Sequence, residues 1–250
     1  MQKKDAGKVK DSTIEELFAA GAHYGYGKSR RHPSASPYIY ATKGGADIIN
    51  LEKTMLLLEK AREFARGLGA RGKTILFVGT KPEAKEAVKK AALSQQLPYV
   101  VARWIGGTFS NFSEIKKKIT ELEDYHEANV KGGLEKFTKK ERLVMAKRME
   151  KLEIYYTGLL GLKKLPDAIF VIDPRAEHIA ATEAKKSGVP IIALANSDSD
   201  IRDIDYPIPG NDASVPAIEL VTEMIAKAYE AGKAAPENLR AKETQNKDAS

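Results

Sequence analysis

Cysteine is absent from the 250 residues, tryptophan occurs once and histidine four times. The first absence excludes disulfides, thiolate zinc sites and cysteine nucleophiles. His23, His32, His126 and His178 include no pair spaced four apart on one helix, so a histidine metal pair is excluded too. No serine lies in a G-x-S-x-G turn, and neither G-x-x-x-x-G-K-[ST] nor G-x-G-x-x-G occurs, which removes the usual signatures of hydrolases and nucleotide-binding loops. There is no apolar run of about 18 residues, and Met1 to Lys10 is lysine-rich without an apolar stretch. Neither a membrane span nor a signal peptide is therefore expected, and the cytoplasm is the expected compartment.

What the chain has is a 42% hydrophobic content, enough for a core, and a formal charge of +7. With a sequence pI near 9.2 it should attract a polyanion over a Debye length, roughly 8 Å at physiological salt. Nucleic acid leads the candidate partners, although a mildly basic enzyme has the same balance, so the placement of charge matters more than its sum.

The pattern along the chain is α/β. Ser12 to Glu15 reads S-x-x-E, a capping box opening a short helix through Ile14, Leu17 and Phe18. Gly21 to Pro37 has no hydrophobic periodicity and reads as a loop. Tyr38 to Tyr40 and Asp47 to Ile49 read as short strands around Gly44 and Gly45, and a helix follows from Glu52 to about Leu68. Apolar runs at Thr74 to Val78, Pro98 to Val101, Ala168 to Ile172, Pro190 to Ala195 and Tyr206 to Ile208 lack polar alternation, as strands buried on both faces do. Helices such as Pro82 to Leu93 and Pro174 to Ser187 connect them, which predicts a doubly wound parallel sheet.

One connection is too long. About sixty residues separate Val101 from Ala168, where a crossover needs far fewer. Within them Phe112, Ile115, Ile119, Leu122 and Tyr125 recur at steps of three and four after a cap at Asn111 and Glu114. Beyond Gly132 and Gly133, a Thr138 to Glu141 capping box precedes the seam Met145, Met149, Leu152, Tyr156, Leu159. Two helices of about five turns would pair as an antiparallel coiled-coil hairpin roughly 25 to 30 Å long. The expected organisation is a basic disordered tail over 1–11, a discontinuous α/β domain over 12–107 and 161–231, the inserted hairpin over 108–160, and a polar disordered tail over 232–250.

Several positions invite a catalytic or metal reading, each with a simpler one beside it. Thr80, Lys81 and Pro82 follow a strand as a phosphate loop does, but Thr80 with Glu83 forms a capping box, and a carboxylate at the helix start disfavours phosphate. Asp173 ends a strand where catalytic acids sit, yet Asp173 before Pro174 also reads as an N-cap. Asn196, Asp198 and Asp200 alternate like half a calcium loop, but Ile201 and Pro207 occupy the positions of its glycine and closing glutamate. A nucleotide-binding enzyme using Thr80, Lys81 and Asp173 is the alternative to a non-catalytic nucleic-acid binder, and no cofactor is implied.

The basic loop is the stronger signal. Lys28, Arg30, Arg31 and His32, with Lys43 on the next turn, interleave with Tyr24, Tyr26 and glycines and with His23. Cations meet phosphate oxygens, rings stack, and glycines allow close approach. A second patch joins Arg103 and Trp104, read either as an exposed RNA contact or as a packed hinge. The hairpin adds Lys116 and Lys117 near its base and Lys139 and Lys140 near its tip.

These segments together resemble the universal small-ribosomal-subunit protein S two family in its bacterial form. The motifs are AGAHYG at Ala20 to Gly25 with PYIY at Pro37 to Tyr40, IINLEKT at Ile48 to Thr54, LFVGTK at Leu76 to Lys81, RWIGGTFSNF at Arg103 to Phe112, LPDAIFVID at Leu165 to Asp173 and IPGNDA at Ile208 to Ala213. The resemblance implies a flavodoxin-like sheet with a protruding helical hairpin and no catalytic role. It also implies binding to small-subunit rRNA and to neighbouring ribosomal proteins, including the large protein numbered one. The chain departs from the family pattern at Tyr26, where histidine is common, and at Arg31 and His32, where Trp-Asn is common. Roles of those family residues do not transfer.

Overall fold

The computed structural model describes residues 12–234. Helix α1 covers residues 12–19 among the described residues. Strands β1 (Tyr24–Gly27), β2 (Ile39–Lys43) and β3 (Ala46–Ile49) form an antiparallel sheet in the order β1-β3-β2. Gly44 and Gly45, at φ +59° and +82°, make the tight β2–β3 turn that side chains disfavour. The segment read as an ordered or RNA-ordered loop contributes a strand and two 3-10 turns, Lys28–Arg30 and Pro33–Tyr38. β1 was illegible because Tyr-Gly-Tyr-Gly carries no apolar side for a core.

The second sheet holds β4 (Ile75–Val78), β5 (Tyr99–Val100), β6 (Ala168–Ile172), β7 (Ile191–Ala195) and β8 (Tyr206–Pro209). All are parallel, in the order β5-β4-β6-β7-β8. Counted within this sheet that order is 2-1-3-4-5, the doubly wound arrangement of flavodoxin-like folds, with its switch point between β4 and β6. Every residue of β4, β6 and β7 is buried, because helices cover both faces. Phe77, Phe170, Ile192 and Leu194 point to one face, against α2 (Leu51–Ala70), α3 (Pro82–Ser94) and α7 (Val215–Lys233). Leu76, Ile169, Val171 and Ala193 point to the other, toward α6 (His178–Lys186). Phe77 and Phe170 meet edge-on at 5.3 Å, fully buried, and each such side chain contributes about 1.5–3 kcal/mol by leaving water.

Helices α4 (Phe112–Val130) and α5 (Lys139–Tyr156) stand between β5 and β6. Ile115, Ile119, Leu122, Met149 and Tyr156 are buried in the same cluster as the second face of the sheet, so the base of this insertion is continuous with the core. Arg148 pairs with Glu121 at 2.6 Å and His126 with Glu153 at 2.8 Å across the two helices. The Thr138 capping box forms in full: Thr138 Oγ1 accepts from Glu141 N at 3.3 Å, and Glu141 accepts from Thr138 N at 2.8 Å. Asn111 precedes α4 but makes no cap bond; its carboxamide oxygen accepts from Ser113 Oγ instead.

Three boundaries differ from expectation. Thr80 and Glu83 form no capping box, and Lys81 is the residue before α3. Helix α6 starts at His178 rather than Pro174, after a turn in which Asp173 adopts φ +61°. Helix α7 runs to Lys233, so Gly232 and Lys233 belong to the fold; the rest of the expected C-terminal tail beyond 234, and the N-terminal tail 1–11, lie outside the described residues. Among the described residues no helix is long and apolar enough to cross a membrane.

Candidate nucleic-acid interface

The antiparallel sheet lies over the turn that follows β7. Tyr26 N donates to Ser197 Oγ at 2.9 Å, His32 N donates to the Ser197 carbonyl at 2.8 Å, and Ser34 Oγ accepts from Ile201 N at 3.1 Å. A Cβ on Gly25 would stand 3.1 Å from both Asp47 and Ser197 Oγ, so a larger residue there would push on the neighbours beneath β1. Asn196, Ser197, Asp198 and Ser199 are all buried beneath it.

This packing divides the basic loop into braces and free cations. Arg31 Nε donates to Asp47 at 2.7 Å, its Nη2 meets the other Asp47 oxygen, and the same nitrogen donates to Thr42 Oγ1 at 2.7 Å. Asp47 is fully buried, and the Arg31 hydrogen bond outweighs desolvation to hold its carboxyl below the usual range. Arg30 lies 4.3 Å over the Tyr26 ring and donates to Asp198 at 3.1 Å. Arg175, which sequence reading passed over, reaches the same Asp198 oxygen at 2.6 Å. His32 Nδ1 is bonded to Ser34, and His23 is buried in a stack between Phe18 at 4.4 Å and Tyr24 at 4.0 Å. Burial lowers the His23 pKa. Tyr24, Lys28 and Lys43 are exposed, and among the described residues neither lysine has an ion pair.

The calcium-like run is engaged by partners within the protein, with Asp198 Oδ1 left without one among the described residues. Asp198 holds Arg30 and Arg175, Asp200 holds Arg202 at 2.6 Å, and Asn196 Nδ2 donates to Asp212 at 2.9 Å. The Arg202 hydrogen bonds hold the Asp200 carboxyl well below the carboxylate range. Among the described residues no cluster of three metal-ligating groups exists.

The crevice at the switch point is filled in the same way. Glu177, 4% exposed, accepts from Thr80 N at 2.8 Å and from Thr80 Oγ1 at 2.5 Å, so a carboxylate stands where a phosphate would meet this loop. That carboxylate is Glu177 rather than the Glu83 expected. Lys81 Nζ donates to Asp173 at 2.8 Å and lies 3.5 Å from Asp212. Burial works against the ammonium, but the Asp173 hydrogen bond and the Asp212 charge hold its pKa above the lysine value. Asp173 also accepts from Arg175 N and Ala176 N, so it caps a turn before the helix rather than the helix itself. Burial and the Asp173 charge push the Asp212 carboxyl up to about 6.

That value has a testable sign. The folded chain holds the Asp212 proton more tightly than the unfolded chain, so this group lowers stability as pH rises from about 4 to 6. Asp212→Asn keeps an acceptor for Asn196 and removes the repulsion with Asp173. Thermal denaturation from pH 4 to 7 should show the variant's profile flatter than the parent's and its midpoint at pH 7 not lower. A midpoint at pH 7 several degrees below the parent's would mean that Lys81 needs the charged form.

At the base of the insertion, Trp104 is 5% exposed and meets Phe109 edge-on at 5.2 Å, so it is packed rather than exposed. Glu183 of α6 clamps the adjoining backbone, accepting from Gly107 N at 2.6 Å and Phe109 N at 2.9 Å. Arg103, Lys116, Lys139 and Lys140 are exposed without ion pairs among the described residues, whereas Lys117 is paired with Glu114 at 2.6 Å.

The family model described as Ribosomal protein S2 matches residues 17–232. The chain belongs to the ribosomal protein S2 family. Small ribosomal subunit protein uS2 of Chloroflexus aggregans is 41% identical over 216 residues, covering 86% of this chain and 91% of that protein. The protein of the same name in Geotalea uraniireducens is 43% identical, with 86% and 84% covered. That of Thermus thermophilus is 44% identical over 209 residues, with 84% and 82% covered. The ribosomal protein S2 match takes in the antiparallel sheet, the filled crevice and both inserted helices. Sequence reading missed the acids that organise this S2 chain, namely Asp47, Glu177 and Glu183. Asp47 alone left a trace, as a lone acid in the apolar strand Ala-Asp-Ile-Ile.

Proposed function

We propose that the chain is a structural constituent of the small ribosomal subunit, acting in translation by binding small-subunit rRNA and neighbouring ribosomal proteins, and that it is not an enzyme. The observation that carries this is the family match over residues 17–232. The switch-point crevice supports it, since Glu177 takes both Thr80 donors and Lys81 is held by Asp173 and Asp212. The compartment is that of the ribosome, the cytoplasm in bacteria. Residues 12–107 and 161–231 act as one discontinuous domain, and 108–160 as a coiled-coil arm carrying Lys116, Lys117, Lys139 and Lys140 toward RNA. Seating the large ribosomal protein numbered one is part of the same reading.

The grip on RNA is assigned to exposed cations of the antiparallel sheet and the hinge: Lys28, Arg30, Lys43 and Arg103, with Tyr24 as an exposed ring. Arg31, His23, His32 and Trp104 serve this surface by packing it. Arg30 is replaceable without unfolding because Arg175 keeps Asp198 paired. The triple substitution Lys28→Ala, Arg30→Ala and Lys43→Ala should leave the melting curve within a few degrees of the parent. It should weaken binding to small-subunit rRNA about tenfold or more, and lower the salt-dependence slope by roughly two to three. Incorporation into subunits at parental level, in competition with the parent, would sink the assignment.

A further inference from the structure

Residues 102–110 lead from β5 into α4 and form the first of the arm's two connections to the parallel sheet. The loop is shaped from within: Thr108 N and Thr108 Oγ1 both donate to the Ile105 carbonyl, at 3.1 and 2.6 Å, and Asn111 N donates to the Gly107 carbonyl at 2.8 Å. Gly107 stands at φ +95°, a conformation that side chains rarely adopt, and it lets the N–H groups of Gly107 and Phe109 reach one carboxylate. That carboxylate is Glu183 of α6, whose Oε1 accepts from Gly107 N at 2.6 Å and whose Oε2 accepts from Phe109 N at 2.9 Å. Among the described residues no other side chain outside 102–110 hydrogen-bonds to this loop, and Glu183 has no ion pair. The loop and the base of α4 are otherwise held to the core by apolar contacts, through Trp104, Phe109, Ile115 and Ile119. Apolar burial is non-directional and leaves rotation of one surface on another unspecified. Two hydrogen bonds to the two oxygens of one carboxylate specify it.

We propose that Glu183 is a positioning residue: it sets the angle at which the inserted arm leaves the α/β domain, and so brings the arm's lysines and the cations of the antiparallel sheet onto one RNA. The second half of this rests on the RNA-binding reading above. The lever is long. α4 has 19 residues, about 28 Å at 1.5 Å per residue, so a turn of roughly 10° at its base carries its far end about 5 Å. That exceeds the roughly 4 Å within which an ammonium and an anionic oxygen pair. α4 has no side-chain cap of its own, so its start is held from the loop. Only a carboxylate serves both N–H groups, because glutamine would set its own NH2 against one of them.

The test uses the full chain. Because it has no cysteine, Val130→Cys and Leu56→Cys, at positions 87% and 58% exposed, place two spin labels uniquely, one at the far end of α4 and one on α2. Double electron–electron resonance should give one narrow distance in this parent, and Glu183→Gln should shift or broaden it by about 5 Å or more. Gly107→Ala, which disfavours the left-handed turn and leaves the carboxylate in place, should do the same, and adding it to Glu183→Gln should add little. It also carries the test should Glu183→Gln fold poorly, and circular dichroism should report parental helix content. Parental distances in both variants overturn the proposal. For RNA the sign is diagnostic. Glu183→Gln removes a negative charge, which by itself raises affinity for small-subunit rRNA, whereas loss of position should lower it about threefold or more. In a chain already carrying Lys139→Ala and Lys140→Ala, Glu183→Gln should cost nothing further. No fall, or an equal fall with and without those lysines, overturns the positioning role in RNA binding. A parent that fails to bind rRNA would instead strike the ribosomal reading, and the distance measurement is read independently of it.

Discussion

Gly69→Ala is expected to lower the unfolding midpoint by roughly 6–12 °C, and Gly69→Val to leave little folded protein at 37 °C. Helices α2 and α7 cross with almost no space between their backbones. A Cβ built on Gly69 would fall 2.1 Å from the Tyr229 carbonyl oxygen, and one on Gly232 would fall 2.0 Å from the Arg66 carbonyl oxygen. Those obstacles are backbone atoms of the opposing helix, so no rotamer change relieves them and the helices must part. Parting them opens the packing of Leu68, Ile225 and Tyr229, all buried in the cluster under the parallel sheet. Overpacking of this kind costs about 3 kcal/mol, a large fraction of the 5–15 kcal/mol that typically holds a domain folded. Leu56→Ala, at a position 58% exposed on the same α2, is the control and should shift the midpoint by no more than about 2 °C. A Gly69→Ala midpoint as close to the parent as that control would show that the helices separate freely.

Arg31→Ala is expected to destabilise the antiparallel sheet far more than Arg30→Ala, although the two residues are neighbours in one basic cluster. Removing Arg31 leaves the buried Asp47 with Thr42 alone, an uncompensated charge beneath β1. Removing Arg30 leaves Asp198 with Arg175. The pH dependence separates this brace from a surface contact. Because Arg31 holds the folded Asp47 pKa below its unfolded value, the pair contributes stability that is present above about pH 4 and lost as pH falls through the depressed value. The gap between parent and Arg31→Ala midpoints should therefore be several degrees at pH 7 and shrink in acid. A gap independent of pH would assign the loss to packing of the arginine stem instead. For RNA binding, a double Arg30 and Arg31 substitution confounds grip with folding, and Lys28, Arg30 and Lys43 form the cleaner set.

How much was legible in the sequence follows from how local each signal is. The strands Ile75 to Val78, Ala168 to Ile172 and Ile191 to Ala195 were readable because burial on both faces demands unbroken apolar runs. The Thr138 capping box was readable because both its bonds lie within four residues. The Thr80 box, with the same spacing, fails because Glu177, 97 positions away, takes both Thr80 donors. Asp173 does accept from Arg175 N and Ala176 N, but α6 begins only at His178, so those bonds close a turn and not the helix.

The sequence by itself determined the strands of the parallel sheet, the excess of cations and, through ordered motifs, the family. Each of these depends on residue type and local spacing. Only the tertiary structure decided which cations are spent inside the protein and which stay free, that Trp104 is packed rather than exposed, and that the basic cluster begins on a 3-10 turn directly after β1. Those outcomes depend on acids that are distant in sequence and brought beneath the cluster by folding, Asp198 to Arg30 across 168 positions among them. Charge neutralisation acts over ångströms in space, and spacing along the chain carries no record of it.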